Sequence, residues 1–194
     1  HGAILDVGAG IGEVASVFAD KGYTVTVSEM NKEAVKWLYS LNQFNVCPGA
    51  LDDLHIDCEF DLVTAWGVLE HVTDPDLFLQ QVSNGLKPNG YLVNEVPSAD
   101  SLLVDYVQNT GWSPKRILIG EQHIILFSIK AYIELHERNG FELLHLKTNG
   151  LDLSTIAPSL ASTSITAWDH VSEMQKIIDM SGKGDLLRGF WRKK

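Results

Sequence analysis

The stretch Leu5-Asp-Val-Gly-Ala-Gly-Ile-Gly-Glu-Val-Ala15 sets three glycines, Gly8, Gly10 and Gly12, at every second position directly behind an apolar run. Glycine lacks Cβ and tolerates positive φ, so a strand ending in this way turns sharply into a helix and lays bare backbone against a ligand. The dinucleotide fingerprint Gly-x-Gly-x-x-Gly is spaced to receive a pyrophosphate at a helix N-terminus. Here the third glycine comes one residue early and Glu13 follows it, a carboxylate that a pyrophosphate would meet unfavourably. The loop therefore suits a ligand that needs close approach more than anion binding. Asp6, inside the apolar strand end, suits an ammonium group and equally suits a helix cap.

At 194 residues, 45% hydrophobic and 21% charged, the chain has room for one domain with a sizeable core and none for a second full domain. Fifteen basic against 25 acidic residues give a formal charge of −10, which repels a polyanion and argues against nucleic acid as the main substrate. The basic tail Arg192, Lys193, Lys194 does not reverse that. Cys47 and Cys58 match no metal spacing and fit ordinary packing in a reducing compartment, so a cytoplasmic location is expected. No apolar run approaches the roughly 18 residues needed to span a membrane. His1 precedes a strand almost at once, so an N-terminal helix is expected to be missing.

Along the first half, apolar runs alternate with helical periods, the pattern of a parallel sheet with helices on both faces. Ala3 to Val7 reads as the first strand. Val14, Val17 and Phe18 lie at helical spacing before a stop at Gly22, so the glycine loop sits between strand and helix. Tyr23 to Ser28 reads as a second strand with Glu29 at its tip, and Asn31 caps a helix running to about Leu41. A third strand falls within Phe44 to Cys47 and a fourth over Phe60 to Trp66. Asp74 and Pro75 open a helix whose buried face carries Leu77, Phe78, Val82 and Leu86. A turn at Pro88 to Gly90 leads into a fifth strand, Tyr91 to Val96. Ser98 to Gln122 has no sustained period and reads as a long excursion over the sheet edge. Ser128 caps a further helix that Gly140 ends, Phe141 to Thr148 follows as a strand, Asp152 to Gly182 reads as loop and helix, and Asp185 to Trp191 is the last strand.

The glycine loop, Glu29, the run FDLVTAWGVLEHVTDP from Phe60 to Pro75, and LKPNGYLV after a helix together resemble the class I S-adenosylmethionine (SAM) dependent methyltransferases. The combination of LEHV (69–72), LKPNG (86–90), HIILFS (123–128) and NGFELL (139–144) is similar to the small-molecule subgroup that includes ubiquinone-type and sugar-modifying methyltransferases. The likeness covers Ala3 to about Leu153, with GKGDLLRGFWRK resembling the family's terminal strand. It implies an α/β, Rossmann-like fold with a seven-stranded, mostly parallel sheet, an antiparallel last strand and helices on both faces. It also implies a single methyltransferase domain over 1–194. The segments 99–122 and 152–182 lie outside the repeating strand-helix core and are expected to be acceptor-site insertions.

By that resemblance Gly8, Ala9, Gly10 and Gly12 approach the methionine and ribose portions of SAM, Asp6 supports its ammonium group, and Glu29 accepts hydrogen bonds from both ribose hydroxyls. A carboxylate is an acceptor pair suited to a vicinal diol. Met30 lies against the adenine face, and Trp66, Gly67 and Val68 line the methionine side. The family often has Asp then Ala where this chain has Ala50 then Leu51, so the adenine amino group falls to backbone groups at Leu51 or to Asp52.

SAM carries its own reactivity, and the protein's task is to hold a nucleophile in line with the methyl group. For a hydroxyl acceptor a base helps remove the proton, and a histidine titrating near neutrality suits the role. His71 and His123 are the candidates, with Glu70 third; Glu70 and His71 equally suit the start of a helix, and His123 a structural hydrogen bond. His55, His136 and His145 show no partner pattern, and no metal-binding spacing is present, so no metal is expected. Tyr106, Trp112 and Trp168 serve as aromatic pocket walls or as packing anchors. The expected function is methyl transfer from SAM, leaving S-adenosylhomocysteine, to a hydroxyl of a sugar, quinol or phenol. A SAM-binding module without catalysis and a nicotinamide or flavin oxidoreductase are the alternatives. The expected partner is a small-molecule acceptor, without nucleic acid or an integral membrane segment.

Overall fold

Strand β1 (Ala3–Val7) is an interior strand, third in order, of a seven-stranded sheet. It runs parallel to β2 (Thr24–Glu29) on one side and to β4 (Phe60–Trp66) on the other, with Asp6 opposite both Val27 and Thr64. The computed structural model describes residues 2–51, 60–111, 123–157 and 165–194. Beyond β2 comes β3 (Asn45–Pro48); beyond β4 come β5 (Leu86–Pro97), β7 (Leu186–Lys193) and, at the edge, β6 (Phe141–Asn149). β7 is antiparallel to both of its neighbours, so the sheet is mixed with an antiparallel last strand, as the sequence implies. The chain runs outward through β1, β2 and β3 and then crosses back to β4, which opens a crevice at the carboxyl ends of β1 and β4, where open α/β sheets bind ligands.

The helices form where local chemistry dictates. α1 (Glu13–Asp20) follows the glycine loop, with Gly12 at its N-cap in the left-handed region at φ 84°. α2 (Lys32–Leu41) is capped by Asn31, whose Oδ1 accepts from the N–H groups of Glu33 and Ala34. Asp74 caps α3 (Pro75–Gly85) through the Leu77 N–H. The apolar core falls into two clusters: a small one joins Ala15, Val25, Val27 and Leu38, and a large one joins β1, β4, β5 and β7 to α3 and to α5 (Ile129–Arg138).

Three sequence expectations change. The excursion from Ser98 contains a helix, α4 (Leu102–Thr110), started by Ser101, whose Oγ accepts from the Val104 N–H, and stopped at Gly111 in the left-handed region at φ 69°. Leu103 and Val104 are its buried side chains. The turn at Pro88 to Gly90 sits inside β5 as an irregularity: the register jumps from Phe60 opposite Leu86 to Leu62 opposite Tyr91, and Asn89 takes φ 60°. The basic tail belongs to β7, where Arg192 pairs with Glu142 and Lys193 Nζ donates to the carbonyls of Ser83 and Leu86. The readings at Asp52, His55, Cys58, Trp112 and Gln122 lie outside the described residues, and that at Trp168 lies where no side chain is described.

Behind the sheet's carboxyl edge a buried polar cluster locks α5 onto β5 and β7. The Asn94 Oδ1 accepts from Tyr132 Oη and Trp191 Nε1. His136 stacks on Trp191 with ring centroids 4.0 Å apart. Its Nδ1 lies 2.7 Å from the Tyr132 carbonyl and its Nε2 3.0 Å from Asn94 Nδ2. A carbonyl only accepts, so Nδ1 carries the proton and Nε2 accepts from the amide. Burial holds His136 neutral, its pKa pushed down from 6.5 to about 3. α6 (Asp152–Ile156) and α7 (Ile165–Met180) complete the domain; Asp152, fully buried, accepts from the Leu103 N–H, the Gln175 amide and the Asp185 N–H. Among the described residues no helix is long and apolar enough to cross a membrane.

Candidate active site

The three glycines of the first loop meet different surroundings. The N–H groups of Gly8 and Ala9 both donate to the Ser28 carbonyl, at 2.9 and 3.0 Å, which ties the loop to the end of β2. A Cβ on Gly8 would stand 2.7 Å from Val68 Cγ2, so this glycine lets β1 and the loop after β4 close on one another. A Cβ on Gly12 would meet Leu38 and Phe44 at 2.8 and 3.0 Å, and Gly12 lines neither cavity of the crevice; it is a packing contact with α2 and its following loop. Only Gly10, at φ 56°, has nothing within 4 Å of a Cβ, and its backbone is the bare surface that the spacing predicts.

Two cavities meet at Gly8. The larger, about 540 Å³, is lined by Glu29, Met30, Leu51, Gly67, Val68 and His71 among others; the smaller, about 320 Å³, has Asp6, Ala9, Gly10 and Trp66 in its walls. Both fall within or near the range of small-ligand sites. Glu29 stands over the larger one, its carboxylate fixed at both ends: Oε2 accepts from the Gly10 N–H at 2.8 Å and Oε1 from the Asn31 N–H at 2.7 Å. Each oxygen keeps a further lone pair for a ligand. The Glu29 carbonyl accepts from the Gly49 N–H, which draws the loop carrying Ala50 and Leu51 to the same rim. Met30 is largely exposed there, whereas Leu51 is buried.

Asp6 is buried and accepts a hydrogen bond at 2.5 Å from Thr64 Oγ1. Burial raises its pKa to about 6, the Thr64 bond opposing. Thr64 is a site residue that the motifs do not announce; its signal is a polar residue inside an apolar strand, in register with the acid of the adjacent strand. Trp66 closes the smaller cavity. Its indole Nε1 is buried without a partner, and the Arg188 guanidinium lies 4.9 Å from its ring centroid while pairing with Glu95. A cation held over an indole face is attracted by the ring quadrupole, so Arg188 and Glu95 brace Trp66 from behind.

The fold brings His123 to Glu70 and His71, which lie more than fifty positions earlier in the sequence. Glu70 and His71 form a short 3-10 turn, Leu69–His71, after β4. The Glu70 carbonyl accepts from the N–H groups of Ile124 and Ile125, at 2.9 and 3.1 Å, which fixes the His123 segment beside the turn. The two imidazoles lie with centroids 5.0 Å apart, and His71 Nε2 is 3.8 Å from Glu70 Oε1. Donor atoms of all three lie within 4.8 Å of one another. The Glu70 side chain is buried, its Oε2 has no hydrogen-bond partner, and burial raises its pKa, with His71 and His123 opposing. His136 is the core histidine described above, and His145 lies on β6, its ring 5.7 Å from Phe190. Among the described residues neither 99–111 nor 152–182 lines either cavity; Tyr106 sits half-buried on α4.

Over 152 residues the chain is 33% identical to a tRNA U34 carboxymethyltransferase from Dichelobacter nodosus, covering 72% of this chain and 46% of that protein. Over 112 residues it is 35% identical to a ubiquinone biosynthesis O-methyltransferase from Xanthomonas euvesicatoria pv. vesicatoria, covering 52% and 47%. The chain thus spans about half the length of the curated relatives it matches. The crystal structure of an S-adenosylmethionine dependent methyltransferase from Mesorhizobium loti shares the fold with a TM-score of 0.70 at 17% identity, covering 98% of this chain and 90% of that one. Residues 1–146 match the family described as Methyltransferase domain, and with this strand order and a glycine-loop crevice the chain belongs to the class I SAM-dependent methyltransferases.

Proposed function

We propose that this domain transfers the methyl group of SAM to a hydroxyl of a small-molecule acceptor, a sugar, quinol or phenol. The observation that carries the reading is the Glu29 carboxylate, pinned by two backbone N–H groups, one of them from the glycine loop, at the rim of a cavity that Gly8 also lines. A preset acceptor pair of this kind suits the two hydroxyls of a ribose. The residues present fit the group: Gly10 offers open backbone, Asp6 places a carboxylate at the smaller cavity for an ammonium, and Met30 and Leu51 give apolar cover for an adenine ring. Gly8, Ala9, Gly67 and Val68 shape the passage between the two ends, and Trp66 walls the methionine side. Bound SAM supplies an electrophilic methyl on a sulfonium, which departs as a neutral thioether.

The acceptor's hydroxyl must then be oriented and relieved of its proton. Glu70, His71 and His123 stand together for this, with His71 on the wall of the same cavity. A small acceptor is supported by the names of the ubiquinone biosynthesis relatives and by the formal charge of −10, which disfavours a polyanion such as the RNA named for the Dichelobacter protein.

Calorimetric titration with SAM and with NAD, followed by radiolabelled methyl transfer to a panel of sugars, catechols and phenols, tests the reading. SAM binding with transfer to at least one acceptor is expected. NAD binding in place of SAM overturns it, and SAM binding without transfer to any acceptor makes the domain a binding module.

A further inference from the structure

We propose that the Trp66 indole N–H is the donor that receives the carboxylate at the amino-acid end of SAM, and that Arg188, which lines neither cavity, is the positioning residue that fixes this indole. The role rests on the cofactor reading above and deepens it, because it gives the smaller cavity a means of telling a ligand that carries a carboxylate from one that does not.

An amino-acid end brings an ammonium and a carboxylate into that cavity. Asp6 serves the first. For the second, the described wall offers two carboxylates, Asp6 and Glu13, several apolar groups, and one side-chain donor, the Trp66 indole. The main chain is largely committed: the N–H groups of Gly8 and Ala9 are taken by the Ser28 carbonyl and that of Gly10 by Glu29. Trp66 Nε1 is buried and meets no acceptor in the protein. An indole N–H shut away from water without a partner is costly, and a buried Trp usually finds one. A carboxylate arriving with the ligand supplies it, as a charge-assisted hydrogen bond.

The indole is held for this from the side. Trp66, Glu95 and Arg188 stand in one row across β4, β5 and β7, Trp66 in register with Glu95 and Glu95 with Arg188. Arg188 Nε and Nη2 both donate to Glu95 Oε2, at 2.8 and 2.5 Å, and the guanidinium carbon lies 4.9 Å from the centroid of the Trp66 ring. A planar guanidinium anchored in this way stacks on the indole face and restricts its rotation. The Gly67 N–H donates to the Glu95 carbonyl at 3.1 Å, which fixes the backbone beside Trp66. Glu95 balances the charge of Arg188, so the pair orients the donor instead of adding a net positive field.

Calorimetric titration with SAM and with decarboxylated SAM, which keeps the sulfonium and the amine, tests the role in the unmodified protein, Trp66→Phe, Arg188→Leu and Arg188→Lys. The unmodified protein should prefer SAM by about tenfold or more, the scale of a hydrogen bond to a charged group. In Trp66→Phe the preference should vanish or invert, because the carboxylate then meets only Asp6 and Glu13. Arg188→Leu should reduce it by about two- to fivefold, the scale of one cation–π contact, and Arg188→Lys, which keeps a cation over the ring, should recover part of that. Circular dichroism checks that each variant folds; if Trp66→Phe does not, the two Arg188 variants decide. An unchanged preference in folded Trp66→Phe overturns the donor, and an unchanged preference in folded Arg188→Leu overturns the positioning role. A protein that binds SAM and decarboxylated SAM equally overturns this proposal and leaves the methyl-transfer reading standing, whereas one that binds neither overturns both.

Discussion

The Oε2 atom of Glu29, at the end of β2, accepts a hydrogen bond from the backbone N–H of Gly10, in the loop after β1, at 2.8 Å. The acid is therefore a brace for the loop as well as a candidate ligand group. Its second oxygen is held by Asn31, the residue that caps α2. One side chain thus couples the glycine loop, the tip of β2 and the start of α2.

Replacing Glu29 with Ala should weaken SAM binding about a hundredfold, since two charge-assisted hydrogen bonds at about 1.5 kcal/mol or more each are lost. Glu29→Gln should recover only part of this, because its amide nitrogen faces one of the two N–H donors. Calorimetry measures both; unchanged affinity in Glu29→Ala removes the residue from the cofactor site.

Gly10→Ala and Gly12→Ala should separate ligand from fold. At Gly10 the left-handed φ costs an L residue about 1–2 kcal/mol, and the new methyl group points into open space that the ligand is expected to use, so SAM affinity should collapse while the melting temperature falls by a few degrees. At Gly12 the methyl group meets Leu38 and Phe44, and overpacking of about 1–3 kcal/mol adds to the strain. That variant should melt lower than Gly10→Ala. Differential scanning calorimetry with and without SAM checks the order.

The affinity for SAM should fall below pH 6. With Asp6 held near a pKa of about 6, the carboxylate that faces an ammonium is ionised at pH 7.5 and protonated below the shifted value, so each further pH unit costs up to about tenfold. Asp6→Asn should bind weakly throughout and lose this dependence. A pH-independent affinity in the unmodified protein contradicts the role of Asp6.

His136 should make the fold acid-sensitive. Its pKa is about 3 when folded against 6.5 when exposed, so between those values the unfolded chain binds the extra proton. Stability then rises with pH through that window, is complete above about 6.5, and falls by up to about 1.4 kcal/mol per unit on acidification. Urea unfolding at pH 7.5 and 5.5 of the unmodified protein and of His136→Gln reads the effect: the unmodified protein should lose more. A constant difference between the two contradicts a neutral buried imidazole.

The strand, glycine turn and helix from Ala3 to Asp20 were legible because their signals are local: an apolar run, glycine spacing and helical period within twenty residues. The caps at Asn31, Asp74 and Ser128 were legible for the same reason. α4 is hidden in the sequence because Ser98 to Gln122 as a whole shows no sustained period, and the stop at Gly111 lies inside it. Gly12 looked like its two neighbours because sequence spacing carries no information about Leu38 and Phe44, which reach it from another element. The meeting of Glu70, His71 and His123 depends on two main-chain hydrogen bonds between distant segments, so no residue spacing announces it.

The placement of β7 bears on how this domain is made. Of the seven strands in this sheet the last in chain order slots between β5 and β6, so until Leu186–Lys193 leaves the ribosome these two strands face an empty lane. A nascent or truncated chain that stops short of it presents exposed edges to any passing strand. Arrest of translation just before Leu186 should yield a sticky intermediate that depends on chaperones, and supply of the missing strand as a peptide should rescue it.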